Sequence, residues 1–409
     1  MAIKTETPTR TTTGIRPFRI EIPEADLQAL RTRIAAARWP EKQTVDDQSQ
    51  GVPLETSQAL ARYWEKEYDW RKVEAKLNAL PNFITEIDGL DIHFIHVQSK
   101  HENALPLIIT HGWPGSVIEQ LKIVGPLTDP TAHGADASDA FHLVIPSLPG
   151  FGFSGKPSSP GWGPERIAGA WTELMKRLGY TRFVAQGGDW GALITDLMGQ
   201  QAPAELIGIH TNMPGIFPPE IDALLQTDLT GASNALGSLP ANLSSEERRA
   251  CEQADFFWKH SGYSLIMGTR PETLTGLADS PIALASFLLD HDAASLNLIC
   301  QAFAGNPQGL TRDDILDNIT LYWLTNTGVS AARIYAENKL SFFSVKGVSI
   351  PAAVSVFPDE LYETPRSWAE QAYPNLIHYN KLDKGGHFAA WEQPQLFANE
   401  IRNAFRSLR

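Results

Sequence analysis

Gly187-Gly188-Asp189-Trp190-Gly191 decides how this chain is read. The run before it, Arg182-Phe183-Val184-Ala185-Gln186, reads as a buried strand, and an amphipathic stretch follows from Ala192. A glycine stands two residues before Asp189 and another two after it. A strand that turns into a helix around one exposed side chain is tight enough that only small flanking residues avoid a clash. Such an elbow usually presents a serine; here it presents a carboxylate. A carboxylate attacking an electrophilic sp3 carbon leaves an alkyl ester on the protein, which water must then cleave. Gly-Gly-Asp turns are common, so the rest of the chain has to decide the matter.

Around the elbow the chain alternates between strand and helix. Residues Phe83 to Ile87 and Asp91 to Val97 read as a hairpin joined by Asp88-Gly89, a strong turn signal. Leu105 to Thr110, Phe141 to Pro146, Thr181 to Gln186 and Leu206 to Thr211 are short apolar runs, with helical segments such as Ile167 to Leu178 between them. This predicts a mostly parallel sheet covered by helices on both faces. The rhythm breaks over residues 214–340, which read as largely helical, a lid or cap inserted between strands. Strands return at Val348 to Phe357 and near Leu376 to Tyr379, and a last helix is expected over about Gln395 to Ser407. Residues 83–213 and 341–409 thus form the two parts of one core.

Residues 1–82 form an N-terminal segment. Positions 1 to about 15 are expected to be disordered, and Phe18-Arg19-Ile20-Glu21-Ile22 alternates as a short strand would. Pro23 opens a helix with Leu27, Leu30 and Ile34 on one face, and Trp39-Pro40 stops it. One further helical stretch is expected from about Leu54 to Leu80. The segment has too little core of its own and should pack on the residues after it.

Bulk properties narrow the classes. The 409 residues are 43% apolar and 20% charged, ordinary for a globular protein able to bury a large core. A net charge of −13 argues against nucleic acid or an anionic membrane surface as partner. Cys251 and Cys300 suggest neither a disulfide framework nor a zinc site, which points to a reducing, cytoplasmic setting. Met1 to Arg16 is Thr-rich and charged, with no secretory signal, and no apolar run approaches the ~18 residues needed to span a bilayer.

Four motifs add chemistry. In His111-Gly112-Trp113-Pro114-Gly115-Ser116, a Gly-rich turn follows a strand, so its backbone N–H groups are free to point into a site. The amides of Trp113 and Trp190 are the expected oxyanion donors, while the His111 side chain is expected only to pack the turn. Gly385-Gly386-His387-Phe388 puts a histidine in a loop between the last strand and the last helix, the place for a base. Phe357-Pro358-Asp359-Glu360-Leu361 supplies an acid to orient that base. Asp359 and Glu360 both qualify on position, and both would also serve as plain helix caps. Nucleophile, acid and histidine then follow in α/β-hydrolase order. Within the cap, Ser261-Gly262-Tyr263-Ser264 and Arg333-Ile334-Tyr335-Ala336 each hold a tyrosine that on spacing alone reads as amphipathic core.

Taken together, these motifs resemble the microsomal-type epoxide hydrolases with their juvenile-hormone and fungal relatives. The resemblance runs over nearly the whole chain. It takes in Tyr63-Trp64 through Asp69-Trp70, the Ile87 to His96 hairpin, His111 to Ser116, Pro149-Gly150-Phe151-Gly152-Phe153-Ser154, Gly187 to Gly191, Asp279-Ser280-Pro281, Leu321-Tyr322-Trp323 and Gly385 to Ala390. It implies an α/β-hydrolase fold with a helical cap and an N-terminal wrapping segment. It implies Asp189 as nucleophile, His387 as base, Glu360 as the relay acid with Asp359 as runner-up, and Tyr263 and Tyr335 as holders of an epoxide oxygen. The implied reaction adds water to a small hydrophobic epoxide, giving a 1,2-diol through a hydroxyalkyl ester of Asp189, with detoxification the expected setting. No metal or organic cofactor is needed, and a homodimer is left open. Membrane-bound members carry a hydrophobic N-terminal anchor, which this sequence does not offer. A haloalkane dehalogenase shares the fold and the aspartate, but its halide needs N–H donors and no proton, whereas a tyrosine pair suits oxygen. A ligand-binding relative that has lost catalysis would lack a member of the set. A serine esterase would need serine at the elbow.

Overall fold

The structure, a computed structural model, describes residues 14–226 and 235–409. The disorder expected for residues 1 to about 15 concerns positions that, up to residue 13, lie outside those described. One nine-stranded sheet forms from Arg16–Pro17 (β1), Asn82–Ile87 (β2), Leu90–Val97 (β3), Leu105–Thr110 (β4), Phe141–Pro146 (β5), Phe183–Gly187 (β6), Leu206–Thr211 (β7), Ala352–Val356 (β8) and Leu376–Lys381 (β9). Their order is β1-β2-β3-β5-β4-β6-β7-β8-β9. From β1 to β5 neighbours are antiparallel, and from β5 to β9 they are parallel. Asp88 and Gly89 take φ of +52° and +80°, the left-handed pair a two-residue hairpin requires. Strands β6 and β8 are buried along their whole length, as parallel strands covered on both faces must be.

Helices cover the sheet. The N-terminal segment contributes Glu24–Ala35 (α1), Leu54–Lys66 (α2) and Trp70–Asn78 (α3). Leu121–Thr128 (α4), Pro164–Arg177 (α5) and Trp190–Gln201 (α6) connect strands up to β7. Between β7 and β8 come Pro219–Gln226 (α7), Ser245–His260 (α8), Gly262–Thr269 (α9), Pro281–Leu289 (α10), Ala293–Phe303 (α11), Arg312–Leu324 (α12) and Gly328–Glu337 (α13). Arg366–Ala372 (α14), Ala389–Glu392 (α15) and Pro394–Phe405 (α16) complete the chain.

Several expectations need correction. Phe18 to Ile22 is not a strand; the ladder stops at Pro17. Beyond it Ile20 pairs through N–H and C=O with the Asn78 side chain at 2.9 and 2.8 Å, so a side-chain amide takes the place of a neighbouring strand. The first helix ends at Ala35, short of Trp39-Pro40. The stretch from Leu54 to Leu80 is two helices. Asp69 breaks it by capping α3, its side chain accepting from the Arg71 N–H at 3.0 Å. Helix α6 is not amphipathic, for Trp190 to Gly199 are all buried, as befits a helix packed between β6, β7 and α5.

The N-terminal helices bury Leu27, Leu30 and Ile34 of α1, each worth about 1.5–3 kcal/mol. They are also tied by polar contacts to α12. The Trp64 indole donates to Thr320 at 2.9 Å, and the Tyr63 and Tyr68 hydroxyls donate to Asp313 and Asp317 at 2.8 and 2.7 Å. Arg33 reaches Asp279 at 2.8 Å. No helix among the described residues is long and apolar enough to cross a membrane.

Candidate active site

The parallel strands end on one side of the sheet. The turn after β4, the elbow after β6 and the loops after β8 and β9 meet there, where α/β sheets commonly bind ligands. Asp189 sits at the elbow with φ +52° and ψ −128°, a conformation a non-glycine residue adopts only when its surroundings impose it. Close packing imposes it here. A Cβ at Gly191 would fall 2.0 Å from the Thr110 carbonyl oxygen, and one at Gly112 would fall 2.1 Å from Asp189 Oδ1. Both glycines allow the elbow and the β4 turn to touch.

In that contact the Trp113 N–H donates to Asp189 Oδ1 at 2.7 Å. The Trp190 amide opens α6, so no earlier helical carbonyl faces it. Helix α12 pins the turn: Asn318 donates to the Pro114 carbonyl at 2.7 Å and accepts from Ser116 at 2.7 Å, and the Tyr322 hydroxyl donates to the Gly115 carbonyl at 2.8 Å. His111 packs within the turn, contacting the Gly112 carbonyl and accepting from the Leu148 N–H at 3.2 Å.

His387 follows β9. Its Nε2 lies 3.7 Å from Asp189 Oδ2 and its Nδ1 lies 2.6 Å from Glu360 Oε1. Glu360 is buried, whereas Asp359 is exposed and meets the loop through its backbone, in a bridge with Gly386 and by its N–H to the Gly385 carbonyl at 3.1 Å. Desolvation works against charge on the His387 ring. The Glu360 carboxylate, followed by Asp189 and Asp292, outweighs it and holds the imidazole well above its usual range. Glu392 fixes the loop by accepting from the Gly386 and Phe388 N–H groups, both at 3.0 Å.

The helices between β7 and β8 bring in Tyr263 from α9 and Tyr335 from α13. Their rings meet edge to face at 6.3 Å, Trp113 stacks on Tyr263 at 4.9 Å, and Trp190 meets Tyr335 at 4.7 Å. Burial, reinforced by the Asp189 charge, pushes both phenols well above 10, so both keep their protons at neutral pH. Asp189, both tyrosines, Phe257, Leu265 and Phe343 line a cavity of about 390 Å³, room for a small organic ligand.

One neighbour escaped the sequence reading. The His291 ring lies 4.3 Å from that of His387, tilted by 37°, with Nδ1 2.9 Å from Asp292. Asp292 caps α11 through Ser295, and although desolvation opposes it, His291 draws its pKa down to about 2. The signal was Asp290-His291-Asp292, a histidine between acids at a helix start. Asp189, His291 and His387 each offer a ligand atom within 4.8 Å of the others, the one such grouping among the described residues, and an ion held there would block the Asp189 carboxylate.

The structure thus brings His387, Glu360 and the Trp113 turn to Asp189, which with Trp190, Tyr263 and Tyr335 lines the cavity. Asp359 and the His111 ring stay out of it. Residues 15–120 match a family model described as the epoxide hydrolase N terminus, and residues 106–249 match one for the alpha/beta hydrolase fold. The chain is 52% identical to a putative epoxide hydrolase of Stigmatella aurantiaca (strain DW4/3-1), over 97% of this chain and 86% of that protein. It is 35% identical to epoxide hydrolase 1 of Oryctolagus cuniculus, over 95% and 88%. Among solved structures, juvenile hormone epoxide hydrolase from the silkworm Bombyx mori superposes with a TM-score of 0.85 at 31% identity, covering 98% of this chain and 96% of that one. The Aspergillus niger epoxide hydrolase superposes with a TM-score of 0.80 at 30% identity, covering 99% of each.

Proposed function

Because the chain belongs to the epoxide hydrolase family, has the α/β-hydrolase fold and is an enzyme that adds water to epoxides, we propose that Asp189 is the nucleophile of that reaction. The observation that carries this is the line Glu360–His387–Asp189, at 2.6 and 3.7 Å, ending at a cavity with two buried phenols. Asp189 attacks one ring carbon of a small hydrophobic epoxide, and the C–O bond electron pair goes to the epoxide oxygen. Tyr263 and Tyr335 converge on that oxygen and protonate it as the bond breaks. The result is a 2-hydroxyalkyl ester of Asp189.

The second half needs a base. In the free enzyme the Glu360, Asp189 and Asp292 carboxylates favour the protonated form of the His387 ring. Esterification removes the Asp189 charge, and the His387 proton passes to the phenolate that alkylation leaves, so the ring is free when a base is required. His387, oriented by Glu360, then takes a proton from water as that water attacks the Asp189 carbonyl carbon. The Trp113 amide already lies on the oxygen that becomes the oxyanion, and the Trp190 amide completes the pair. Collapse expels the alkoxide, which takes the second water proton from the regenerated Asp189 carboxyl group and leaves as the 1,2-diol. Asp359 has no part in this. Cys251 and Cys300 are free thiols, in keeping with a cytoplasmic location.

Single-turnover hydrolysis in 18O-labelled water tests the ester route. Mass analysis should find the label in the Asp189 carboxylate and unlabelled diol; label passing straight into the diol sinks the route. The cap tyrosines have a separate test. Tyr263→Phe with Tyr335→Phe should slow ester formation by roughly 10²- to 10³-fold or more, with hydrolysis of any ester formed much less affected. Stopped-flow alkylation at the wild-type rate would remove the tyrosines from the mechanism.

A further inference from the structure

Asp189 faces two voids. Besides the substrate cavity, a small pocket of about 20 Å³ lies against it, and the two voids have no other lining residue in common. The small one has room for a water molecule and little more. Its wall includes Asp189, His387, Glu119, Gln120, Gln186 and Asn212.

Two of these side chains have hydrogen-bonding capacity to spare. Gln186 and Gln120 are 1% and 3% exposed. The Gln186 amide NH₂ is spent on Asn212 Oδ1 at 3.0 Å, and that of Gln120 on Glu119 Oε1 at 2.7 Å. The Oε1 atom of each has no partner among the described residues. A buried acceptor left unpaired costs about 1–3 kcal/mol, so two beside one water-sized void mark a place built for a donor. An apolar ligand offers none; water offers two hydrogens. Glu119 suits a neutral guest too. Desolvation pushes its carboxyl up to about 8, so at neutral pH it does not set a second negative charge against Asp189.

We propose that this pocket, on the sheet side of Asp189, holds the water that hydrolyses the ester, and that Gln186 and Gln120 position it. One water hydrogen goes to a glutamine Oε1. The other points to His387 Nε2 and is the proton transferred, while the freed electron pair attacks the Asp189 carbonyl carbon. The nucleophile of the second step then sits in place while the cavity on the other side is filled by substrate. Water need not pass the epoxide to reach the ester. Gln186 and Gln120 are positioning residues; the reading rests on the covalent route proposed above.

Rapid-quench kinetics on the full-length enzyme separate the outcomes. Gln186→Leu and Gln120→Leu remove the acceptor and keep the bulk, one at the end of β6 and one in the turn after β4. Each should form the Asp189 adduct from styrene oxide at the wild-type rate and hydrolyse it about 10- to 100-fold more slowly, because the water is misplaced. The unchanged alkylation rate also reports an intact fold. Adduct decay at the wild-type rate in both variants overturns the water site, as does equal slowing of both steps, which would mean a merely structural role. If even the wild type forms no adduct, the covalent route itself has failed, a separate result.

Discussion

His387→Gln should stop after one chemical step, with a covalent adduct of substrate mass building up on the peptide that contains Asp189. The expectation follows from where the ring sits. Alkylation needs only an ionised Asp189, an accessible carbon and the two phenols, none of which depends on a base. Hydrolysis of the ester needs a proton taken from water, and His387 is the ring that faces Asp189, at 3.7 Å. Glutamine can still donate a hydrogen bond but cannot accept that proton at neutral pH. Losing a positioned base costs about 10²- to 10⁴-fold, and the whole loss should fall on the second step. Intact-protein mass spectrometry after mixing with excess epoxide should show near-stoichiometric adduct. A variant that is inactive and free of adduct would mean that His387 serves alkylation, and the assignment would fall.

Asp189→Ala should have the larger effect on turnover and the opposite effect on the adduct. Without the nucleophile there is no ester to form, and kcat/KM should fall by roughly 10⁴-fold or more. The cavity walls remain, since Tyr263, Tyr335 and Phe343 lie outside the elbow. Binding of an unreactive diol should therefore stay within a few-fold of wild type, as read by quenching of Trp113 and Trp190 fluorescence. Alanine is the informative replacement, because asparagine would keep a group that water can convert back. Residual activity within tenfold of wild type would move the nucleophile elsewhere.

Much of this site was legible because each member announces itself by local sequence. Gly187 and Gly191 mark the elbow since a Cβ on the first would strike the Gly191 carbonyl and one on the second the Thr110 carbonyl, and the glycines around His387 mark an open loop. Strand and helix rhythm gave the sheet, because parallel strands buried on both faces read as unbroken apolar runs. Choosing between Asp359 and Glu360 was beyond position alone. Adjacent residues point in different directions, and only the fold shows one buried against His387 while the other meets solvent. His291 and the glutamine-lined pocket were also hidden, since both depend on segments more than sixty residues apart. Errors gathered where tertiary contacts override pattern: Ile20 pairs with a side chain, and α6 is enclosed on every side.

The attachment of α1–α3 to α12 has a consequence for how substrate choice can change. Helix α12 is anchored on one side by Trp64 and Tyr68 and on the other grips the turn that carries the Trp113 amide. The insertion is thus fastened through α12 to the reacting floor, while α8 lines the cavity with Phe257 and Trp258 and carries none of the proposed reacting groups. Variation can accumulate on α8, reshaping which epoxide fits, while the proposed reacting groups on α9 and α13 stay where they are. Selectivity and reactivity are wired to separate parts of the same insertion, so a lineage can retune one while keeping the other.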